Sequence, residues 1–192
     1  MPNASEAIQS LQARFAGNIG QAREFRGEWT VEVDKNEVAA VAAHLKKELS
    51  FDLLLDISSV DHFGDEPRYE VVYEFYSVSA KTHLRIKAKV SEDDAELPSV
   101  VPVYETANWH EREVYDMMGI RFGGHPDLRR ILMWEGYPYF PLRKDFPLEG
   151  RPSEMPDVAF SKDAPLAGGP FVTAPSTAIS MEREPRARPP EI

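Results

Sequence analysis

The prolines of this chain are concentrated toward its C-terminal end, which limits what that part of the chain can fold into. Eight of the 16 prolines lie in residues 151–192. Because proline fixes φ and has no backbone N–H, a segment so rich in it cannot form a helix or a central strand. Composition alone favours a disordered tail, but large apolar residues recur along it. We therefore predict an extended tail that becomes ordered on a partner. Its candidate anchors are Phe160, Leu166, Phe171, Val172, Ile179 and Met181.

The rest of the composition excludes several classes of site. The sequence has no cysteine, and therefore no thiolate ligands for an iron–sulfur cluster or a Cys-type zinc site, no thiol nucleophile and no disulfide. Its 22 Lys and Arg against 32 Asp and Glu give a net charge of −10, which disfavours binding to nucleic-acid phosphates. No window approaches the ~18 consecutive apolar residues that cross a bilayer, and we expect no secretory signal at the N-terminus.

Hydrophobic periodicity divides the rest of the chain into elements. We predict one compact α+β domain over residues 1–133, a connecting segment over 134–150 and the extended tail over 151–192. The predicted order in the domain is helix, strand, helix, three strands, helix, over about residues 5–15, 29–33, 38–49, 53–60, 69–76, 83–90 and 99–118. This order is typical of a two-layer sandwich with a mixed sheet of about four strands and helices packed on one face. The strongly apolar run 53–60 is predicted to be a central strand.

Charge patterning predicts how two of these strands pair. Around a turn near Ser79, Glu74 falls opposite Arg85 and Glu70 falls opposite Lys89. Opposite charges then meet on one face and apolar residues on the other, which specifies the register. We interpret the resulting ladder of charges as a solvated face of the sheet.

Motifs that carry catalysis are missing from the sequence. Residues 110–114 begin like a zinc-hydrolase helix, but Val114 stands where that motif needs its second histidine. His125 lies beyond Gly119, outside the predicted helix. Neither a phosphate-binding glycine pattern nor a nucleophile elbow occurs. We therefore predict that this chain has no catalytic, cofactor-binding or metal-binding residues.

The charged residues of the last predicted helix are interpreted as structural. Arg112 precedes Asp116 by four residues, a spacing that favours an intrahelical ion pair. Glu111 falls near the apolar stripe of the helix, where an unpaired charge is costly. We therefore predict that Glu111 pairs with an arginine of the following loop and so fixes the loop to the helix. The candidate partners are Arg121, Arg129 and Arg130. We prefer this ion-pair lock to a catalytic carboxylate dyad.

One segment is more specific than these patterns. It combines Glu111-Arg112-Glu113 with Asp116-Met117-Met118 and, further on, His125, Arg129, Ile131 and Leu132. This spacing resembles the signature of the thirty-kilodalton subunit family of respiratory complex I, the family of the bacterial NADH–quinone oxidoreductase C subunits. Residues 139–148 resemble the segment after the signature, and residues 56–61 resemble the family's central strand. The resemblance covers about residues 1–150. The candidate signature or interface residues are Glu111, Arg112, Glu113, Asp116, His125, Arg129, Arg143, Lys144 and Asp145.

The resemblance implies a structural role inside an enzyme. A member of this family is a cofactor-free subunit of the peripheral arm of proton-translocating NADH–quinone oxidoreductase, with no catalytic residues of its own. It supports the large quinone-site subunit and the iron–sulfur subunits, which are its expected partners, while flavin and clusters on those partner subunits carry electrons from NADH to quinone. The implied location is the cytoplasmic side of the bacterial inner membrane, reached only through the complex.

Two other interpretations stay open at this point. Related subunits in membrane-bound hydrogenases and in other quinone-reducing complexes share the Glu-Arg-Glu signature, although residues 143–147 favour the NADH enzyme. A free-standing acidic binding module is the third interpretation, and it predicts a stable monomer. The first two predict a chain whose tail is ordered only within a complex.

Overall fold

The computed structural model describes residues 3–151, so the predicted tail beyond Arg151 lies outside the described residues. The chain divides into two compact units, residues 1–145 and 146–192. All described helices and strands belong to the first unit. In the second unit, the described residues 146–151 contain a turn in which the Gly150 N–H donates to the Pro147 carbonyl at 2.9 Å.

The described part of the first unit contains three α-helices and seven strands. In chain order they are α1 (Ala4–Arg14), β1 (Arg23–Phe25), β2 (Glu28–Glu32), α2 (Val38–Glu48), β3 (Leu53–Asp61), β4 (Tyr69–Ser77), β5 (Thr82–Val90), β6 (Glu96–Pro98), α3 (Ala107–Met118) and β7 (Arg121–Gly123). A 3₁₀ turn over Lys35–Glu37 leads into α2. None of these helices combines the length and the apolar character that crossing a bilayer requires.

Five of the strands form a mixed sheet in the order β1-β2-β5-β4-β3. Strands β2 and β5 run parallel and the other neighbours run antiparallel. Strands β6 and β7 form a separate parallel pair. The predicted α+β class is therefore confirmed. The sheet has one strand more than the approximate prediction, because the three residues of β1 are too few to show a periodicity in the sequence.

The core lies between one face of the sheet and the three helices. Alternate residues of the central strands supply the sheet side of this core, where they are almost fully buried, as expected for a face covered by helices. They include Tyr69, Val71, Tyr73 and Phe75 of β4 and Leu84, Ile86, Ala88 and Val90 of β5. The helices contribute the apolar stripes predicted for them, including Ile8, Leu11, Val41, Leu45, Val114 and Met117. This layer fixes α3 and the start of β4, which carry most of the candidate site.

The predicted hairpin register is confirmed, since Glu74 lies opposite Arg85 and Glu70 opposite Lys89. The ion pairs follow this register only in part. Arg85 pairs directly with Glu74, whereas the Glu70 carboxylate takes the diagonal neighbour Lys87 at 2.7 Å. Long side chains reach the diagonal position of an antiparallel pair easily, so the register fixes the face on which charges meet but not each partner.

The prediction that residues 53–60 form a central strand is wrong, because β3 is an edge strand of the sheet. Leu54 and Ile57 are buried in the core, but Leu53, Leu55 and Val60 are exposed. A continuous apolar run is typical of a strand covered on both faces. Here the run carries apolar residues onto an exposed surface.

The last helix begins at Ala107, eight residues later than predicted. Residues 99–106 form turns instead, in which the Tyr104 N–H donates to the Val100 carbonyl at 2.9 Å. Val100 and Tyr104 are buried. The apolar spacing that predicted a longer helix therefore belongs to buried residues of a turn. Pro102 also removes a backbone donor from this segment.

Candidate functional site

The residues singled out in the sequence lie on α3 and on the segment that follows it. The helix ends at Gly119, whose φ of 78° is in the left-handed region. The chain then returns over this helix end, where Arg143 Nε donates to the Met118 carbonyl at 2.7 Å. A Cβ at position 119 would lie 2.7 Å from both Phe140 and Arg143. Conformation and space therefore both require glycine here.

Asp116 holds the loop after α3 through four donors. Its Oδ2 accepts the N–H groups of Ile131, Leu132 and Met133 at 2.9, 2.6 and 2.8 Å, and its Oδ1 accepts Arg130 Nη1. The carboxylate is fully buried. Burial by itself would raise the pKa of Asp116, but the three backbone N–H groups and the guanidinium outweigh it and hold the pKa below its ordinary value.

The predicted intrahelical pair between Arg112 and Asp116 is not formed. Arg112 donates instead to the carbonyl oxygens of Arg129 and Arg130 at 3.1 and 3.3 Å, and its guanidinium stacks on Trp109 at 5.2 Å. The loop supplies Asp116 with four donors in good geometry, which a single intrahelical pair with Arg112 could not match. Both side chains therefore bind the loop. Asp116 accepts from donors of the loop, and Arg112 donates to its carbonyl oxygens.

Glu111 is fully buried, and neutral groups satisfy it. Its Oε2 accepts the Ser99 hydroxyl and its Oε1 accepts the Val100 N–H, both at 2.7 Å. Removal from water raises the pKa of Glu111 to about 7, against the lowering effect of these two hydrogen bonds. The carboxyl therefore ties α3 to the turn that precedes it.

An imidazole lies close to Glu111 and bonds to the backbone. His125 Nε2 lies 4.0 Å from Glu111 Oε2, and both side chains are fully buried. The Asp127 N–H donates to His125 Nδ1 at 2.9 Å, and His125 Nε2 lies 3.3 Å from the Asn108 carbonyl. The ring is thus held in place by backbone groups on both of its nitrogens.

The prediction that Glu111 pairs with an arginine of the following loop is therefore wrong. The expected ion pair between α3 and the following loop does exist, but it joins Asp116 to Arg130. Arg129 lies at the surface and pairs with Asp127 at 2.9 Å. Helix periodicity places Glu111 on the buried side of α3 correctly. It does not reveal that Glu111 accepts its hydrogen bonds from neutral donors of the preceding turn.

A second buried ion pair, between Arg68 and Asp61, lies at the C-terminal end of the first unit. Arg68 donates to both oxygens of Asp61 at 2.9 Å, to Glu92 at 2.8 Å and to Asp145 at 2.6 Å. The Lys144 N–H also donates to Asp61, at 2.8 Å. Hydrogen bonds from Arg68 hold the pKa values of Asp61 and Asp145 below their ordinary range. Lys144 thus contributes to this site through its backbone.

The predicted strand stops at residue 60, one residue before Asp61, and sequence reasoning overlooked Arg68. The β3–β4 register places Asp61 opposite Tyr69, next to Arg68 in the chain. An acidic residue that ends one strand and a basic residue that begins the next are a usable signal for a cross-strand pair. Arg143, Lys144 and Asp145, by contrast, were singled out and lie at this site.

Two signature positions are less constrained. Glu113 is exposed on α3, and Arg129 is paired only at the surface. Within residues 3–151, no group of three or more His, Asp or Glu side chains could hold a metal ion.

The arrangement as a whole joins distant segments of the chain. We call the bonded charged residues around α3 and the end of the unit the signature cluster: Asp61, Arg68, Glu111, Arg112, Asp116, Arg130, Arg143 and Asp145. Their polar groups bond to other parts of the same chain and hold residues 120–145 against α3 and the β3–β4 end of the sheet. A network of this kind makes the segments it joins rigid and leaves its own polar groups occupied.

Comparisons with known proteins agree with this description. The chain matches the family model for the respiratory-chain NADH dehydrogenase 30 Kd subunit over residues 31–152. The NADH-quinone oxidoreductase C subunit of Geotalea uraniireducens (strain Rf4) is 48% identical over 150 residues, which cover 78% of this chain and 92% of the relative. The NADH-quinone oxidoreductase C 2 subunit of Rhizobium meliloti (strain 1021) is 44% identical over 175 residues, covering 84% and 95%.

Two solved structures share the fold. The trypsin-resistant fragment of Nqo5 aligns with a TM-score of 0.57 at 30% identity and covers 65% of this chain and 98% of the fragment. A chain of the membrane-bound sulfane sulfur reductase, an archaeal respiratory membrane complex, aligns with a TM-score of 0.64 at 26% identity, covering 75% and 85%. The family model spans well over half of this chain and contains the whole signature cluster. The chain therefore belongs to the family of the 30 kDa subunit of respiratory-chain NADH dehydrogenase.

Proposed function

We propose that this chain is a structural subunit of the peripheral arm of an NADH–quinone oxidoreductase. The observation that carries the proposal is the match itself: it covers most of the first unit and the whole signature cluster, in a family whose curated relatives bear that name. The chain takes part in electron transfer from NADH to quinone without catalytic residues of its own. Flavin, iron–sulfur clusters and the quinone site belong to its partner subunits.

The geometry supports a positioning role. The groups that might have done chemistry, Glu111 and Asp116, are directed into the molecule and bonded to its own backbone. Electron tunnelling and quinone docking depend on accurate distances between subunits, so a rigid support contributes to both. We place the chain on the cytoplasmic side of the membrane, associated peripherally through the large quinone-site subunit and the iron–sulfur subunits.

The proposal predicts that the purified chain carries no redox group. Elemental analysis and an absorption spectrum of the full chain should show less than about one iron per ten chains and no flavin band. For iron, the physical reason is the absence of cysteine from the sequence, since thiolates are the usual ligands of iron–sulfur clusters. For flavin, it is the absence of a phosphate-binding glycine pattern. Stoichiometric iron or flavin that survives gel filtration would contradict the supporting role.

A second candidate is the equivalent subunit of a related respiratory complex. The observation that favours it is the structural match to a chain of the membrane-bound sulfane sulfur reductase. The two candidates differ in the enzyme that the tagged chain brings down from native membranes. Co-purification with NADH-dependent quinone reduction supports the first, and a complex that lacks NADH oxidation supports the second.

We further propose that residues 151–192 form the main partner-binding tail. An extended chain spans ~3.3 Å per residue, so this segment could cover more than about 100 Å of a neighbouring subunit. Deleting it should leave the thermal unfolding midpoint of the first unit unchanged, because the deleted residues are outside that unit. Recovery of partner subunits with the tagged chain should fall at least tenfold. A trypsin-resistant fragment of Nqo5 aligns with this chain, which supports the expectation that the first unit folds without the tail.

The matched measurement is limited proteolysis of the full chain, free and in the complex. The tail should be cleaved in the free chain and protected in the complex, because its ordering occurs on association. Assembly of the truncated chain with full affinity and activity would show that the tail is a passive extension.

A further inference from the structure

Three large apolar side chains are exposed around α3. They are Trp109 on the helix, Leu132 in the loop that Asp116 holds, and Leu55 on the edge strand β3, with exposed fractions of 62%, 57% and 44%. We call these three residues the α3 face. Exposed apolar side chains that occur together usually mark a binding surface, whereas single ones need no explanation.

Leu55 lies between two residues of β3 that contact α3 and its N-cap. The pairing register with β4 shifts between Leu54 and Asp56, so Leu55 has no partner in the ladder. Thr106, the N-cap residue of α3, donates through Oγ1 to the Leu54 carbonyl at 3.3 Å, and His110 Nδ1 lies 3.3 Å from Asp56 Oδ1. Bulges are common at sheet edges, where they interrupt the pairing.

Arg112 and Asp116 hold the loop that carries Leu132 against the helix that carries Trp109. Arg112 stacks under Trp109 at 5.2 Å and donates to the Arg129 and Arg130 carbonyls. One helical turn later, Asp116 accepts the Leu132 N–H. The loop is thus held at several backbone positions, so a partner would not have to order it on binding.

The charges around the α3 face are mainly acidic. Glu105, Glu113 and Glu135 are exposed, and in residues 3–151 none of them forms an ion pair with a cation. Arg112 donates to backbone carbonyls, and the exposed Arg129 is paired with Asp127 at 2.9 Å. Neither arginine neutralises the three glutamates. Such a rim favours a partner that presents lysine or arginine.

We propose that the α3 face binds a neighbouring subunit of the same complex through an apolar segment of that subunit flanked by basic side chains. This inference rests on the proposed function and adds to it the surface and the chemistry of the contact. Trp109 supplies a large, rigid contact area of the kind that dominates interfaces. The acidic rim supplies orientation and specificity.

The test uses the full chain and the remaining subunits of the complex, purified from a strain that lacks this chain. Leu132→Asp and Leu132→Ala keep the backbone N–H that Asp116 accepts, so the loop should stay in place. Both should bind the remaining subunits at least about tenfold more weakly than the unmodified chain. The thermal unfolding midpoint of the free variants should be unchanged.

Matched controls come from the opposite edge of the sheet. Phe25 on β1 is 70% exposed, and Phe25→Ala should bind like the unmodified chain. Glu113→Lys should weaken binding more than Glu113→Gln, and both differences should shrink at high salt. Glu24→Lys, an exposed charge reversal on β1, should have no effect.

Normal binding by both Leu132 variants overturns the inference while leaving the proposed function intact. The inference is also overturned if the Leu132 effect vanishes when residues 151–192 are deleted, which would assign the face to the chain's own tail. Self-association of the free chain, abolished by Leu132→Asp, would assign the face to a second copy. If the unmodified chain fails to bind the remaining subunits at all, the proposed function itself fails.

Discussion

Replacing Asp116 by alanine should lower the free energy of unfolding by about 3–5 kcal/mol, the range found when one partner of a buried ion pair is removed. The substitution leaves the Arg130 guanidinium without its carboxylate and three backbone N–H groups, at residues 131–133, without an acceptor. These donors are partly buried, so leaving them unsatisfied adds a cost of its own. Urea denaturation of the full chain at pH 7 measures the change.

The matched control is Asp127→Ala. Asp127 also pairs with an arginine of the loop, Arg129 at 2.9 Å, but both side chains are more than half exposed. An exposed pair contributes roughly 0–1 kcal/mol, so the control should unfold close to the unmodified chain. A cost below about 1 kcal/mol for Asp116→Ala would show that Asp116 does not hold the loop.

The Asp116 substitution also separates stability from assembly. The loop that Asp116 holds carries Leu132, so its release should weaken subunit binding even below the temperature at which the chain unfolds. Leu132→Asp should lose binding without losing stability. A stability loss confined to Asp116→Ala, with binding lost in both variants, is the pattern expected if the cluster exists to present a surface.

The sequence predicted which parts of the chain form the fold more reliably than it predicted contacts between distant segments. The register of Glu70 and Glu74 against β5 follows from local charge alternation, and it is correct. Whether β3 is a central or an edge strand depends on which strands lie beside it. Its apolar residues are compatible with an edge strand whose exposed side binds another subunit, and no pattern within one chain separates that case from a central strand.

The candidate site shows the same difference between local patterns, which were predicted, and contacts between distant segments, which were not. Helix periodicity correctly placed Glu111 on the buried side of α3, and the signature correctly drew attention to Asp116 and Arg143. The partners could not be assigned, because a loop of some twenty residues can bring several arginines and many backbone N–H groups to one carboxylate. Arg68 was missed since its three acidic partners lie 7, 24 and 77 residues away in the chain.

The buried carboxyl of Glu111 should make the stability of the chain fall as pH rises. Its folded-state pKa of about 7 lies above the value of 4.5 for a solvated glutamate. Between these values the folded chain binds more protons than the unfolded chain, so the stabilisation is complete below pH 4.5 and is lost as the pH passes 7. A difference of this size corresponds to about 3 kcal/mol.

Other titrating groups can be separated from Glu111. The pKa values of Asp61, Asp116 and Asp145 are lowered, so their contribution is lost only as the pH falls below about 4. Burial lowers the pKa of His44, which makes stability rise with pH in the range where a solvated histidine titrates. The effect of Glu111 therefore has the opposite sign to both and is best measured between about pH 5 and pH 8 as a difference between two variants.

Glu111→Gln is the variant that isolates this effect. The amide has the shape of the protonated carboxyl and keeps an oxygen that can accept from the Ser99 hydroxyl or the Val100 N–H, but it does not titrate. Denaturant unfolding at intervals from about pH 5 to pH 8 should show the unmodified chain losing about 3 kcal/mol relative to Glu111→Gln across the range. Most of this loss should come between about pH 5 and 7. Parallel curves for the two proteins would mean that Glu111 is charged throughout and has a cation beside it. A difference of the predicted sign would show instead that α3 is fastened to the preceding turn by a neutral carboxyl, which weakens as it ionises near neutral pH.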